Sequence, residues 1–540
     1  MNFKSILRSE QKTIGKATLI IAIFTILSRI LGLFRDHLLA SHFGAGTELD
    51  IYFAAFKTPD LVYSIILAGG VLVSLLPIFS DYIKENKQKA WELINNIINI
   101  FLLVLIFFSV LFIIFTSQIV GLLLPGLDPA YLDTAINLTR LIFIGAFFFG
   151  LSSIFSTILN YFDRFLVYSI APILYNLGII FGIVFLSSSF GIYGAGMGVV
   201  VGAFFHFFIQ FIASLNYGYR YKPVLDLKMQ GVKDFFKLLF PRTIAATASQ
   251  INLIVITAIA SGIAAGAISI FNFSNNLRYL PVGIIGISFA TAAFPHLSKS
   301  VTDNNKTEFL RKFQKTFLTV LYFSFPVGLL MLIQKDIIVK IVLEAGAFTA
   351  SATKITAICL GVFSLSLFAQ CLEPIILRGF FSLKDTKTPT VISLIFLVVN
   401  VLLSLFVVNL LSNNIALNDY FLNLLQLENA QEVVLLGLIF AFNLSLIIDF
   451  LLLFIFFKKK TKDLDVKMLL CEFGKIVLCS AVMAVFSVLL MDIIEELVSI
   501  SGFFSYLFEF CAITISAFAF YFILSKFFKV KAVDLFKFHR

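Results

Sequence analysis

The sequence predicts an all-α integral membrane protein of about fourteen transmembrane helices, two six-helix lobes followed by two extra C-terminal helices. Three observations predict it: an apolar composition, a series of crossing-length runs, and basic charge that alternates between the connections. Of 540 residues, 60% are hydrophobic and 13% charged, with a mean hydropathy of +1.00, too apolar for a soluble fold.

Apolar runs long enough to cross a bilayer lie near 17–36, 52–80, 95–124, 135–160, 167–187, 193–215, 236–262, 265–296, 313–334, 355–380, 389–411, 432–457, 468–491 and 503–526. The basic lead Lys4, Arg8, Lys12 and Lys16 precedes the first run. That run continues through Arg29 without a small-residue cleavage site, which predicts a retained first span rather than a signal peptide.

Lysine and arginine test the count independently. Connections after even-numbered runs are basic: Lys84, Lys87 and Lys89; Arg164; Arg220, Lys222 and Lys228; Lys299, Lys306 and Arg311; Lys384 and Lys387; Lys458 to Lys460. Connections after odd-numbered runs, such as LPGLDPAYLD and DIIEELVSISG, are acidic or polar, and only Lys335, Lys340 and Lys354 go against the pattern. Both termini are therefore expected in the cytoplasm. Basic loops facing an anionic leaflet also account for the formal net charge of +10 without nucleic acid.

Internal repetition organises the runs. The second run ends LLPIFSDY, with Pro77 and Ser80, and the eighth ends AFPHLSKS, with Pro295 and Ser298; glycine pairs Gly69, Gly70 and Gly283, Gly286 precede them. The fourth ends ILNYFDRF and the tenth ILRGFFSLKDTKTP, and the runs that follow carry Asn176 and Asn400. Both echoes are six runs apart, an even number, so the halves share one orientation and are related by an axis along the membrane normal. The expected division is an N-lobe at 1–217, a C-lobe at 218–465 and a final helix pair with a basic tail at 466–540.

Charge inside the apolar runs marks the candidate site. Arg29 lies about 18 Å along the first helix from Ala17, inside a hydrocarbon layer roughly 30 Å thick. Arginine there costs about 2.5–3.5 kcal/mol on insertion scales, so it should face protein, water or an anion rather than lipid. Asp36 is seven residues on and shares its helix face, with Arg35 beside them. After the turn at Gly44 and Gly46, the next run opens with Asp50, Lys57 and Asp60. Two readings stand: an anion-binding cavity, or interfacial side chains that snorkel and pair with one another.

Further on, Arg140, Arg242 and Arg378 sit near run ends and suit snorkelling. Glu373 lies five residues before Arg378, and Asp449 deep in the twelfth run suits either a proton-coupling acid or a hydrogen-bonded structural one. Glu472 and Lys475 are spaced to pair on one helix face. The five cysteines lack CxxC spacing, and the sequence holds no metal motif, P-loop, GxSxG or HExxH. No catalytic residue, metal or organic cofactor is expected.

SRILGLFRD, FGAGTELDIYFAAFKTPDL, FPRTIAATASQINLIV and above all GFFSLKDTKTP resemble the lipid II flippase family MurJ, also called MviN, of the multidrug/oligosaccharidyl-lipid/polysaccharide exporter superfamily. The resemblance implies two lobes around a cationic cavity, a lipid-tail groove on the last two helices, and outward movement of a polyprenyl-diphosphate-linked peptidoglycan precursor by alternating access. It matches Arg29, Arg35 and Lys57 to basic cavity residues and Asp36 and Asp50 to their acidic partners.

Departures stand beside these matches. Tyr63 and Ser64 replace two arginines, Gly69 a glutamate, Asn276 an arginine, and Ile256 and Ser404 the sodium-coupling acids of some members. Arg278 is the candidate to replace the arginine lost at Asn276. Two residues are a rotation of about 200° on a helix, so the exchange requires unwinding near Pro281.

The expected substrate-binding residues are thus Arg29, Arg35, Lys57 and Arg278, and the cavity or gating acids Asp36, Asp50, Glu373 and Asp449. The expected function is a lipid II flippase of the bacterial inner membrane serving cell-wall synthesis, a monomer whose partners are its lipid-linked glycan, membrane lipids and cell-wall enzymes. Its energy is expected from membrane potential, proton or sodium. The rival readings are an exporter of another lipid-linked oligosaccharide or a drug, and a transport-inactive cell-wall scaffold.

Overall fold

The computed structural model describes residues 14–65, 71–497 and 502–534, with the side chains of 14–22, 72, 73, 240–242, 244–246, 495, 497 and 534 left aside. All regular structure among these residues is helical. Inside a bilayer that is the expected solution, because a helix satisfies its own backbone hydrogen bonds.

Ten continuous helical stretches are long and apolar enough to cross: Lys87–Leu123, Pro129–Tyr161, Phe165–Phe190, Ile192–Leu215, Ala267–Thr302, Lys306–Ile333, Lys387–Asn413, Ala430–Thr461, Val466–Ile494 and Phe503–Phe527. Ala350–Ser364 and Leu367–Ser382, bent by 47°, make an eleventh. Of the other three expected runs, 52–80 includes residues outside the description and 17–36 and 236–262 include side chains left aside, so the architecture is compatible with fourteen spans. The protein is a multi-pass membrane protein.

Two compact units, Met1–Ile268 and Ser269–Arg540, divide the chain. The first contains α1 (Ile14–Phe43), α2 (Thr47–Ala55), α3 (Lys57–Tyr63), α4 (Val71–Glu85), α5 (Lys87–Leu123), α6 (Leu132–Tyr161), α7 (Phe165–Phe181), α8 (Ser187–Phe190), α9 (Ile192–Leu215) and α10 (Gln230–Ser261). Its core gathers Leu75 and Phe79 from α4, Leu93, Ile97 and Phe101 from α5, Ile154, Phe155 and Ile158 from α6, and Phe235 from α10. The seventh expected run therefore packs within the first unit, which ends at Ile268.

Helices α7 and α9 cross at glycines. A Cβ on Gly178 would lie 2.3 Å from the Gly202 Cα, and one on Gly198 would lie 2.7 Å from the Gly178 carbonyl oxygen. Glycines four apart, Gly178 and Gly182 at and just after the end of α7 and Gly194, Gly198 and Gly202 on α9, let the backbones touch, the usual device for helix association in lipid.

The second unit contains α11 (Ala267–Pro281), α12 (Ser288–Thr302), α13 (Lys306–Ile333), α14 (Lys335–Val342), α15 (Ala350–Ser364), α16 (Leu367–Ser382), α17 (Lys387–Asn413), α18 (Ile415–Leu424), α19 (Ala430–Thr461), α20 (Val466–Leu497), α21 (Phe503–Phe527) and α22 (Lys531–Asp534). Phe313, Phe380 and Phe457 are fully buried where α13, α16 and α19 meet, with the rings of Phe313 and Phe457 4.4 Å apart. Helices α20 and α21 pack on each other and α20 on α13, and the Tyr521 hydroxyl donates to the Tyr322 carbonyl at 3.0 Å. The expected Glu472 and Lys475 pair forms, at 2.9 Å.

Candidate functional site

In the first unit the charges of the 28–60 stretch come together. The Arg35 guanidinium donates to the Asp36 carboxylate from Nη2 at 2.7 Å and Nε at 3.0 Å, and to Asn176 Oδ1 on α7 from Nη1 at 3.1 Å. Asn176 Nδ2 donates in turn to the Ser28 and Pro172 carbonyls, each at 3.2 Å, and to Ser28 Oγ at 3.3 Å. One asparagine thus ties α1 to α7 and fixes the arginine, satisfying polar groups that lipid would leave bare.

Tyr52 and Tyr175 lie within electrostatic range of Arg35, and Tyr175 also within range of Asp60. Asp60 and Lys57, opposite charges one turn apart on α3, lie in each other's field. Lys57 is 8% exposed. Arg35, Asp36, Tyr52, Tyr175, Asp60 and Lys57 therefore form one polar group, with Asp36, Tyr52 and Lys57 buried and the other three half-buried.

Arg29 behaves differently. It is half-buried, sits next to the anchored Ser28, and makes no hydrogen bond or ion pair with the described residues. Asp50 is placed elsewhere: its Oδ2 accepts the Gly266 backbone N–H at 2.7 Å. Gly266 has φ +88°, and a Cβ there would lie 2.4 Å from the Ala45 carbonyl oxygen, so the loop can approach Asp50 only as glycine.

The departures from the family pattern are accommodated locally. Tyr63, in place of an arginine, hydrogen-bonds Ser153 Oγ at 2.9 Å and sets its ring edge-on to Phe149. Ser64 is buried. Gly69 lies outside the described residues, as does the side chain of Arg242.

In the second unit, Arg278 is 4% exposed. It donates to Asn275 Oδ1 at 2.9 Å and to Gln370 Oε1 on α16, and its guanidinium lies 4.7 Å and 5.4 Å from the ring centroids of Phe363 and Phe442. Gln370 Nε2 donates to Ser366 Oγ at 2.6 Å, and Ser366 donates to Asn443 Oδ1 on α19. The helix is continuous through Arg278 to Pro281 and then widens into a π-helical segment, Val282–Ile287.

Glu373 faces the charge of Arg278, and Asp449 faces that of Glu373. Asp449 is 7% exposed, and neither carboxylate has a hydrogen bond or ion pair among the described residues. Three charges that the sequence gives no reason to link, on α11, α16 and α19, thus fall into one group.

Among the other charges, Arg140 donates to the Ile113 carbonyl at 3.1 Å, and Arg378 lies 5.2 Å from the Phe294 ring centroid. Sequence reasoning did not assign Asn176, Gln370, Asn275 or Tyr175 to the site. Apart from the place of Asn176 in the internal repeat, their only signal is an amide or phenol inside an apolar run. No cluster of histidine, cysteine or carboxylate suited to a metal occurs among the described residues.

Long apolar helices with ionic clusters held inside them define a polytopic transporter. The fold is shared with an inward-facing MATE family multidrug resistance transporter of the MOP superfamily, at a TM-score of 0.63 over 83% of this chain and 99% of that one, with 13% identity. A family model described as Lipid II flippase MurJ matches residues 39–508, and the chain belongs to that family. A probable lipid II flippase MurJ of Buchnera aphidicola subsp. Schizaphis graminum is 32% identical over 399 residues, 73% of this chain and 77% of its own. The lipid II flippase MurJ of Burkholderia cenocepacia is 27% identical over 71% of this chain and 76% of its own. A solved lipid II flippase MurJ in an inward closed conformation superposes with a TM-score of 0.75 and 25% identity, over 94% of this chain and 98% of that one.

Proposed function

We propose that this chain moves lipid II from the inner to the outer leaflet of the bacterial cytoplasmic membrane, with both termini in the cytoplasm. Arg29 carries the reading: a cation inside an apolar helix, unpaired among the described residues, beside a network that already neutralises Arg35. A diphosphate finds no basic partner in lipid, and a guanidinium offers it a bidentate, charge-assisted contact. Lys57 supplies the second contact, while Arg35, clamped by Asp36 and Asn176, holds the site's shape.

Complementation tests this. In cells depleted of their resident lipid II flippase, the parent chain should restore growth, and Arg29→Ala and Lys57→Ala at equal membrane levels should not. Rescue by both variants would remove the anion-site assignment; failure of a well-inserted parent would point to another lipid-linked substrate or to a scaffold.

The group in the second unit supports an ion-coupling role. Two carboxylates facing one arginine leave an excess negative charge within the membrane, which a bound proton or sodium ion offsets. In proteoliposomes, Glu373→Gln and Asp449→Asn should abolish the acceleration of transport by a proton or sodium gradient while leaving substrate binding intact. Variants that respond to the gradients as the parent does would exclude these acids from coupling.

A further inference from the structure

On the face of the first unit that carries the basic connections, a cavity of about 410 Å³ opens between the start of α5 and the segment after α9. Lys87, Arg220 and Lys222 line it, against a single carboxylate, Glu92, which accepts a hydrogen bond from Gln88 Nε2 at 3.3 Å. Hydrogen bonds hold the walls together. Asn96 Nδ2 donates to the Asp226 carbonyl at 2.6 Å, and Asn99 Nδ2 to the carbonyls of Lys222 at 3.1 Å and Val224 at 2.8 Å, stitching the 220–226 segment along α5.

Two buried side chains in this cavity lack partners. Trp91 is 8% exposed and its indole Nε1–H meets no acceptor; Asn95 is 1% exposed and, although its Nδ2 donates to the Arg220 carbonyl at 2.9 Å, its Oδ1 meets no donor. A buried polar atom left unpaired costs about 1–3 kcal/mol, which a bound molecule or water would relieve. Both line the cavity.

Gly218 shows where the donors converge. It has φ +95°, and a Cβ built on it would lie 3.5 Å from Lys87 Nζ and 3.7 Å from Trp91 Nε1. The absent side chain leaves a gap onto which an ammonium and an indole N–H both close, with Arg220 and Lys222 at its rim. Such a donor set suits an oxyanion, and the orphan Asn95 oxygen suits a hydroxyl on the same molecule. The apolar stretch of α5 begins at Leu93 and Ile94, about two turns from Lys87, so the cavity lies at headgroup depth.

We propose that this cavity is a binding site for a phosphate ester bearing a free hydroxyl, as in a glycerophosphate group, held by Lys87, Lys222, Arg220 and the Trp91 indole with Asn95 accepting from the hydroxyl. A lipid headgroup and a soluble ester share this chemistry. The site is separate from the Arg29 and Lys57 region and does not rest on the transport reading.

Trp91 is the only tryptophan of the chain, so its emission reports on this cavity and on the aromatic core it packs against. The purified full chain in non-ionic detergent is titrated with phosphatidylglycerol, with phosphatidylcholine of the same acyl chains, and with glycerol 3-phosphate. Phosphatidylglycerol should give a saturable change, phosphatidylcholine none, and Lys87→Ala/Lys222→Ala should raise the half-saturation concentration about tenfold or more. Saturation by glycerol 3-phosphate with the same sensitivity to the variant supports the site and assigns it to soluble esters; saturation by the lipid alone assigns it to headgroups. Both lysines are exposed, so the variant keeps the fold. Trp91→Phe, which keeps a ring and deletes the N–H, should lower phosphatidylglycerol retention severalfold in native mass spectrometry. A titration without saturation, an unchanged lysine variant, or full retention by Trp91→Phe overturns the proposal.

Discussion

At the scale of residues, Arg35 and Asp36 show how a charge is kept inside an apolar helix. Neighbours in sequence project about 100° apart, yet the long guanidinium folds back onto the carboxylate and reaches Asn176 with its remaining nitrogen. Removing the acid strands the cation. Asp36→Ala should therefore destabilise the protein by about 3 kcal/mol or more, seen as a lower thermal midpoint in detergent, and Arg35→Leu/Asp36→Leu should recover part of that loss. A double variant no more stable than Asp36→Ala would refute the account. The sequence makes these residues conspicuous because charge in an apolar run stands out. It marks Asn176 only as a repeat echo and Gln370 not at all, because their amides matter only once another helix brings a charge to them. The same limit hid the grouping of Arg278, Glu373 and Asp449, which depends on how α11, α16 and α19 pack.

At the scale of elements, helix positions follow from hydropathy, and breaks within them do not. The expected run at 355–380 is two helices bent by 47°, with Ser366 at the break bonded to Gln370 and Asn443. The run at 52–80 begins with α2 and α3 rather than one helix. These breaks depend on side-chain partners from elsewhere, which periodicity does not register. The LKDTKTP motif, by contrast, has a local cause. Lys384 turns the chain at φ +58°, and Asp385 then caps α17, accepting from the Thr388 N–H at 3.0 Å and Thr388 Oγ1 at 2.9 Å, while Lys460 of α19 approaches to 2.5 Å. Partial burial pushes the Asp385 carboxyl up, but these hydrogen bonds and the lysine outweigh it and hold it below its ordinary value. A depressed carboxylate contributes stability above its unfolded pKa, about 3.9, and loses it as pH falls through the lower folded value. Asp385→Ala should cost about 1–2 kcal/mol at pH 7, and that difference should shrink below about pH 4. Thermal unfolding across pH checks both; a difference that grows in acid would contradict it. Gly202→Val, placed where Tyr175 leaves a Cβ only 2.4 Å, should wedge α7 from α9 and cost about 1–3 kcal/mol or more by the same measurement.

At the scale of the whole molecule, the lysine and arginine pattern and the hydropathy together announce a polytopic membrane protein, because both are summed along the chain. The packing of α10 was not legible: it begins after a basic connection that reads as a linker, yet Phe235 enters the core formed by α4, α5 and α6. Hydropathy assigns a helix to the membrane and is silent about which neighbours it takes. Energy supply belongs to this scale as well. We propose that net transport draws on a gradient, since the sequence holds no nucleotide-binding motif. An inside-negative potential favours outward movement of negative charge by about 2.3 kcal/mol per charge per 100 mV, roughly fiftyfold in the leaflet ratio. If the diphosphate crosses with uncompensated charge, a potassium-diffusion potential imposed on proteoliposomes should speed outward movement, and reversing its sign should slow it. If the basic residues neutralise the diphosphate throughout, the rate will be the same at either sign, and the gradients acting on Glu373 and Asp449 become the remaining source of drive. Measuring transport at both polarities, with and without a proton gradient, separates the two, since only a moving charge makes the rate depend on the sign of the potential.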